Sequence, residues 1–288
     1  MMRFKIFDTF AKEPFQGNPT GVVYGDETLD KAMMQKMANE LSLPHTLFLL
    51  PSEDSSILFN SLVFTPFQEV AICSQGIIAG VFAFLDDEII PDGTHTIGTA
   101  LGKKEVFIAT INERIKYSTV FTSLGRPTVE KLSDNQRARL VKLIDNRGLL
   151  DFKGNFVVLG NKKRLVINVP YDLLKELAFI SSKIMNVCQD LGIAGIAFFS
   201  KDQSTDLVHS RYFTTLLNGR EDAVTGIAAG SILAACLENK LIEEQEDITV
   251  HQGGFTTREG YLYPKYRDNQ IFVGGRASKA AEGKLFNI

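Results

Sequence analysis

Seven side chains in this 288-residue sequence are histidine or cysteine: His45, His95, His209, His251, Cys73, Cys188 and Cys236. They are the ready sources of metal ligands, nucleophiles and near-neutral proton carriers, and they are few enough to take one at a time. There is no CxxC pair and no HxxxH spacing, and no Asp/Glu cluster accompanies the histidines, so no metal is expected. Gly253-Gly254 and Gly274-Gly275 make neither GxGxxG nor a P-loop, which argues against a nucleotide, and no cofactor is expected. Cys188 and Cys236 lie in apolar helical stretches and read as core. Cys73 opens an apolar segment, where a helix N-terminus would lower its pKa; the plain alternative is a buried, inert thiol. His45 stands at the start of a strand-like run and reads either as an ordinary half-buried histidine or as a proton carrier titrating near neutrality.

Two further positions could hold an anion. Ser74-Gln75-Gly76 and Thr225-Gly226 put small residues at the starts of two apolar segments. Backbone N–H groups there lack intrahelical partners and point along the positive end of the helix dipole. Such ends would hold a carboxylate, or would serve only close packing and capping.

The elements that must position these groups follow from the hydrophobic pattern. Arg3–Phe10 alternates at period two and reads as a first strand instead of a signal peptide, followed by the Pro14–Pro19 turn and a short strand over Thr20–Tyr24. Asp30 caps a helix over Lys31–Leu41, and His45–Leu50 and Ser56–Phe64 are strand-like. Cys73–Leu85 is apolar on every side, so it is a buried helix. Three alternating runs follow, near Thr94–Leu101, Lys104–Thr110 and Glu113–Tyr117. Ser118–Arg126 carries turn residues and marks a boundary near 118, ahead of an amphipathic helix over Ser133–Ile144. Strands are expected at Asn155–Leu159, Arg164–Val169, Ile193–Ser200, Asp206–Phe213, Ile248–His251, Gly260–Tyr266 and Gln270–Arg276. Helices are expected at Tyr171–Phe179 and Ser182–Leu191, and a second all-apolar helix at Thr225–Leu237.

Composition narrows the partners. The chain is 44% hydrophobic and 23% charged with a net charge of −3, typical of a globular protein and without the basic excess that nucleic acid or an anionic lipid surface would need. No run reaches about 18 apolar residues, so no membrane span is expected. A soluble cytoplasmic protein is the expectation. The two apolar helices align without gaps from Glu69 and from Glu221, 152 positions apart. With a strand before each helix and strands after it, this reads as an internal duplication.

In order along the chain, Phe7-Asp8-Thr9-Phe10, Pro14-Phe15-Gln16-Gly17-Asn18-Pro19, Phe64-Thr65-Pro66, Glu69-Val70, Arg211-Tyr212-Phe213, Glu221-Asp222-Ala223-Val224-Thr225-Gly226 and Gln252-Gly253 resemble the PhzF-like proteins. This is the phenazine-biosynthesis family related to diaminopimelate epimerase and proline racemase. The resemblance spans almost the whole chain. It implies an α/β (α+β) fold of two pseudo-equivalent halves, each a mixed sheet rolled around a central helix. Residues 1–117 with 277–288 would form one half and 118–276 the other, with the active site in the cleft between them. It also implies a homodimer and an isomerase acting on a small carboxylate without metal or nucleotide. In the best understood activity of the family, a glutamate shifts a proton on a dihydro-hydroxyanthranilate.

This sequence departs from the family pattern at that glutamate. Where the family reads Ser-Glu-Thr, the chain has Pro44-His45-Thr46; where it often reads Cys-Gly-His-Ala, the chain has Cys73-Ser74-Gln75-Gly76. The acidic position survives as Asp222. The set becomes His45 as acid/base, Asp222 as its partner and Gln75 as a polar contact, with Asn18, Ser74, Gly76, Thr225, Gly226, Gln252 and Gly253 binding substrate. A two-thiol racemase mechanism is absent, because Thr225 stands opposite Cys73 in the repeat. The alternatives are a catalytically silent relative that binds a metabolite, and a one-thiol enzyme in which Cys73 is a second acid/base group.

Overall fold

A computed structural model describes residues 2–25, 29–71, 73–87, 90–110, 118–144, 152–178, 180–202 and 204–286. The chain parts into two compact units, Met1–Ser123 with Gly274–Ile288, and Leu124–Val273. The first is built from β1 (Met2–Thr9), β2 (Asn18–Tyr24), α1 (Lys31–Leu41), β3 (His45–Leu50), β4 (Ile57–Phe64), β5 (Glu69–Val70), α2 (Ser74–Asp87), β6 (Gly93–Thr99), β7 (Gly102–Thr110) and most of β8 (Ser118–Gly125). The second contains β9 (Thr128–Lys131), α3 (Asp134–Ile144), β10 (Lys153–Leu159), β11 (Lys162–Asn168), α4 (Tyr171–Glu176), α5 (Ser181–Leu191), β12 (Gly195–Lys201), β13 (Leu207–Thr214), β14 (Glu221–Asp222), α6 (Gly226–Glu238), β15 (Thr249–Gln252), β16 (Gly260–Arg267) and most of β17 (Gln270–Gly275). The last strand, β18 (Ala277–Leu285), returns to the first unit and pairs antiparallel with β1.

The duplication read from eight residues extends to the whole pairing scheme. β1–β2 and β10–β11 are antiparallel, β2–β3 and β11–β12 parallel, and β3–β4 and β12–β13 antiparallel. On its other edge β4 then takes the two-residue antiparallel β5 at Val63 and Phe64 and the parallel β6 nearer its start, as β13 takes β14 and β15. Each unit is therefore a mixed sheet around one helix. α2 packs on β1, β2, β3 and β18, and α6 on β9, β10, β11, β12 and β16.

Both helices are apolar all round because strands meet them on several sides. Ile77, Ile78, Ala79 and Val81 of α2 are buried, as is the whole run Ala228–Cys236 of α6. Small residues let the strands come close. A Cβ on Gly80 would stand 2.9 Å from Leu47 Cδ2 of β3. Lys5 of β1, itself buried, reaches the far end of α2 and pairs with Asp86 at 2.7 Å and Asp87 at 2.8 Å. The α1 start is as its sequence reads, with the Asp30 carboxylate accepting the Met33 N–H.

Two readings are corrected. Ser118–Arg126 is not a turn region: its Ser and Thr residues lie in β8, paired with β7 through Val106↔Thr122 and Ile108↔Val120, with Thr119 and Thr122 fully buried. Threonine is β-branched, and alternation with Val120 and Phe121 outweighs the polarity of its hydroxyl. The helix expected over Tyr171–Phe179 closes at Glu176, where Leu177 leaves helical geometry; Phe179 lies outside the described residues. So does the strand expected over Glu113–Tyr117.

Replacing Gly80 with Val should lower stability by about 1–3 kcal/mol, the range for overpacking a filled core. Thermal unfolding would show a lower Tm. An unchanged midpoint would mean that β3 leaves room for a side chain there.

Candidate active site

The predicted site residues form two clusters, one in each unit. In the first unit, β2 and β3 run parallel in the register Thr20↔His45, so His45 enters β3 beside the Gly17-Asn18-Pro19 loop. That loop depends on Gly17, whose φ of +58° is left-handed and whose Cβ would run into the Thr9 carbonyl oxygen. Gln75, in the first turn of α2 and buried, holds the same segment. Its Nε2 donates to Thr20 Oγ1 at 2.7 Å and to the carbonyls of Pro19 and Asn18 at 3.3 and 3.4 Å. Thr20 and Thr9 hydroxyls meet at 3.0 Å. Gln75 is thus a tie between α2 and the loop, its amide nitrogen used within the protein.

Cys73 immediately precedes α2, its carbonyl accepting the Ile77 N–H at 3.0 Å, and it is partly exposed. The His45 side chain and the backbone N–H groups of Gln75 and Gly76 act electrostatically on its sulfur. Burial works to raise the thiol pKa. The charge of protonated His45 and the two N–H groups outweigh that, and Cys73 lies below the ordinary thiol value. The N–H groups at this helix end, expected to serve a substrate anion, thus also favour the protein's own thiolate. Ser74 is partly exposed and Gly76 buried.

In the second unit the helix start is organised differently. Thr225, the residue before α6, donates its hydroxyl to Asp222 Oδ2 at 2.6 Å instead of capping the helix. Its own N–H donates to Gln252 Oε1 at 3.3 Å. Gln252, fully buried, donates to the Asp222 carbonyl at 2.9 Å and to Thr225 Oγ1 at 3.2 Å. Gln252 therefore builds the helix start and has no exposed atom to offer a ligand. Gly253 is required by the backbone: its φ is +83°, and a Cβ would collide with the carbonyl oxygens of Arg258 and Ala223. Among the described residues, the N–H groups of Gly226 and Ile227 find no acceptor. This is the end with open donors.

Arg211, quoted above only as part of a motif, anchors this second cluster. Its Nε and Nη2 donate to Glu221 at 3.0 and 2.7 Å, and its Nη1 to the carbonyls of Leu174 and Leu177 at 3.2 and 2.5 Å. A buried guanidinium held at four points fixes β14 and, with it, Asp222. Its sequence signal is an Arg followed by Tyr212 and Phe213 in a strand, ten residues before an acid.

The two-unit repeat, with one enclosed helix per unit and small residues at each helix start, defines an epimerase-like fold. A hydroxyproline epimerase from Agrobacterium vitis shares it, with a TM-score of 0.63 and 11% identity over 98% of this chain and 91% of that one. A phenazine biosynthesis protein of the PhzF family from Bacillus anthracis matches over the full length of both chains, with a TM-score of 0.84 and 21% identity. The family model for phenazine biosynthesis-like proteins (PhzC-PhzF) matches residues 7–283. The chain belongs to that family. The trans-2,3-dihydro-3-hydroxyanthranilate isomerase of Pseudomonas aeruginosa is 25% identical over 99% of this chain and 100% of its own length. The protein is an isomerase. Among the described residues no helix is long and apolar enough to cross a membrane.

The three thiols should separate on titration. Burial pushes Cys188 up to about 11 and Cys236 up to about 12, whereas Cys73 is lowered. A lowered pKa leaves thiolate present as pH falls below about 8.5, the usual midpoint. At neutral pH, iodoacetamide should modify one equivalent, at Cys73. His45→Ala should raise the midpoint of that reaction followed against pH; an unmoved midpoint would remove His45 as the source of the shift.

Proposed function

We propose that the protein catalyses a cofactor-free proton shift on a small carboxylate metabolite, with His45 in the place of the family's glutamate. The contact between His45 and Cys73 is the observation that carries this reading. A base near a thiol at a helix N-terminus stores one mobile proton between two groups. The thiolate removes a proton from a substrate carbon, and the electron pair left behind delocalises toward the carboxylate. The His45 ring, which carried the other proton, returns it at a different carbon. Transfer of the captured proton from sulfur to nitrogen then restores the pair, and nothing is consumed. Cys73 enters as the second acid/base group, and neither partner needs a large change in basicity to work near neutrality.

Within the second unit, the Gly226 and Ile227 N–H donors at the start of α6, with the dipole behind them, suit a carboxylate. Asp222 keeps the Thr225 hydroxyl turned away from those donors. The predicted roles of Gln75 and Gln252 shift from substrate contact to positioning, the first of the loop at Asn18 and the second of Thr225. The family resemblance carries with it a homodimer, and a cytoplasmic location is the expectation from the sequence pattern.

The test is solvent exchange. The protein is incubated in D2O with trans-2,3-dihydro-3-hydroxyanthranilate and a panel of amino, hydroxy and unsaturated carboxylates, and deuterium on carbon is read by NMR. Incorporation into a member of the panel is expected. His45→Ala and Cys73→Ser should each reduce it by about 10²–10⁴-fold, the worth of a positioned acid or base. Full exchange in His45→Ala would sink the mechanism, and no exchange with any carboxylate would favour the silent binder. The double change His45→Glu with Gln75→His asks whether the family's pattern restores turnover of the dihydro-hydroxyanthranilate. A gain there would show that these two positions separate this chain from that activity.

A further inference from the structure

Two of the four histidines meet on the sheet of the second unit. β13 and β15 run parallel in the register His209↔His251, so residues 42 positions apart in sequence become lateral neighbours. Their Nδ1 atoms stand 3.3 Å apart. His251 Nε2 faces Glu259 Oε2 at 2.9 Å. The rings are held from the sides as well: Tyr171 packs on His209 with centroids 4.7 Å apart, and Tyr261 stacks on His251 at 4.8 Å and 20°. Both imidazoles are partly exposed, so the pair is open to solvent.

We propose that His209 and His251 bind one zinc ion through their Nδ1 atoms, with Glu259 as the outer partner that orients His251. Zinc–imidazole bonds of about 2.0–2.1 Å at a tetrahedral angle put the two nitrogens about 3.3–3.4 Å apart, the spacing already present. Glu259 accepts the Nε2–H of His251, which leaves the Nδ1 lone pair turned toward His209. A carboxylate behind a ligating imidazole is the usual outer-shell arrangement in zinc sites. With both rings neutral, His209 Nδ1–H donates to His251 Nδ1 while no metal is bound. On binding, that proton moves through water to His209 Nε2, the freed lone pair joins the zinc, and no net proton is released. Asp202 lies close enough to His209 to add negative potential. Among the described residues no set of three or more His, Cys, Asp and Glu side chains surrounds one point, so water fills the remaining zinc positions. The pair has no role in the isomerase chemistry above.

Chelator-treated full-length protein is titrated with zinc chloride by calorimetry. One equivalent should bind, with X-ray absorption showing two imidazole nitrogens. His209→Ala and His251→Ala should each weaken binding at least tenfold, and Glu259→Gln by about 10–100-fold. His95→Ala, which removes a histidine tied to the Pro91 carbonyl, and Cys73→Ser should titrate as wild type does. His209→Gln and His251→Gln keep side-chain volume, and far-UV circular dichroism confirms that each variant is folded. The proposal is overturned if wild type takes up no zinc. It is equally overturned if binding survives in folded His251→Gln, or is lost in Cys73→Ser.

Discussion

Two helices without a polar face set the terms for each unit. A helix that is apolar all round gains nothing from lying on a surface, so strands must surround it. One packed layer cannot do that, and a mixed sheet can only if its strands return repeatedly around the helix. The order antiparallel, parallel, antiparallel, then a branch to a two-residue strand and a parallel one, recurs in both units for that reason. Strand identities differ between the units while the scheme stays fixed. The helix start then becomes the natural site, because it is where an enclosed helix meets a strand edge and backbone donors come free.

The two starts have been used in opposite ways. At α2 the N–H groups of Gln75 and Gly76 favour negative charge on the Cys73 sulfur. At α6 the Thr225 hydroxyl is drawn off to Asp222, Gln252 takes the Thr225 N–H, and the donors of Gly226 and Ile227 stay open. A duplicated fold supplies two equivalent ends, and the side chains around them decide which holds a charge of its own and which awaits one. Arg211, through Glu221, and Gln75, through Thr20, stiffen the segments beside these ends without facing a ligand. Rigid support of this kind keeps donors aimed where charge develops.

Local chemistry was legible in the sequence, and pairing across the sheet was not. The Asp30 cap, the apolar helices at 74 and 226, and the start of β3 at His45 are all consequences of short-range pattern. So is the duplication, because Glu69-Val70 and Glu221-Asp222 precede their helices by the same interval. β5 and β14 are two residues long and carry no periodicity to detect. β8 was hidden by its hydroxyls. Cys73 read as most simply inert because nothing in its own neighbourhood reveals His45, which is 28 positions away and arrives through the parallel register with Thr20. His209 and His251 lie 42 residues apart for the same reason, and a search for ligand spacing along the chain passes over them.

The residue at position 45 sets the charge beside Cys73. A carboxylate beside Cys73 would add negative charge next to the sulfur and hold its proton on, leaving a neutral thiol as a bystander to a glutamate base. An imidazole in that place does the reverse, favouring the thiolate that the Gln75 and Gly76 donors also favour. The family's histidine position, here Gln75, contributes neither charge nor a competing proton, and its amide is bound to the Asn18–Thr20 loop. Neither position 45 nor position 75 places negative charge beside the Cys73 sulfur, where the Gln75 and Gly76 N–H groups also favour the thiolate.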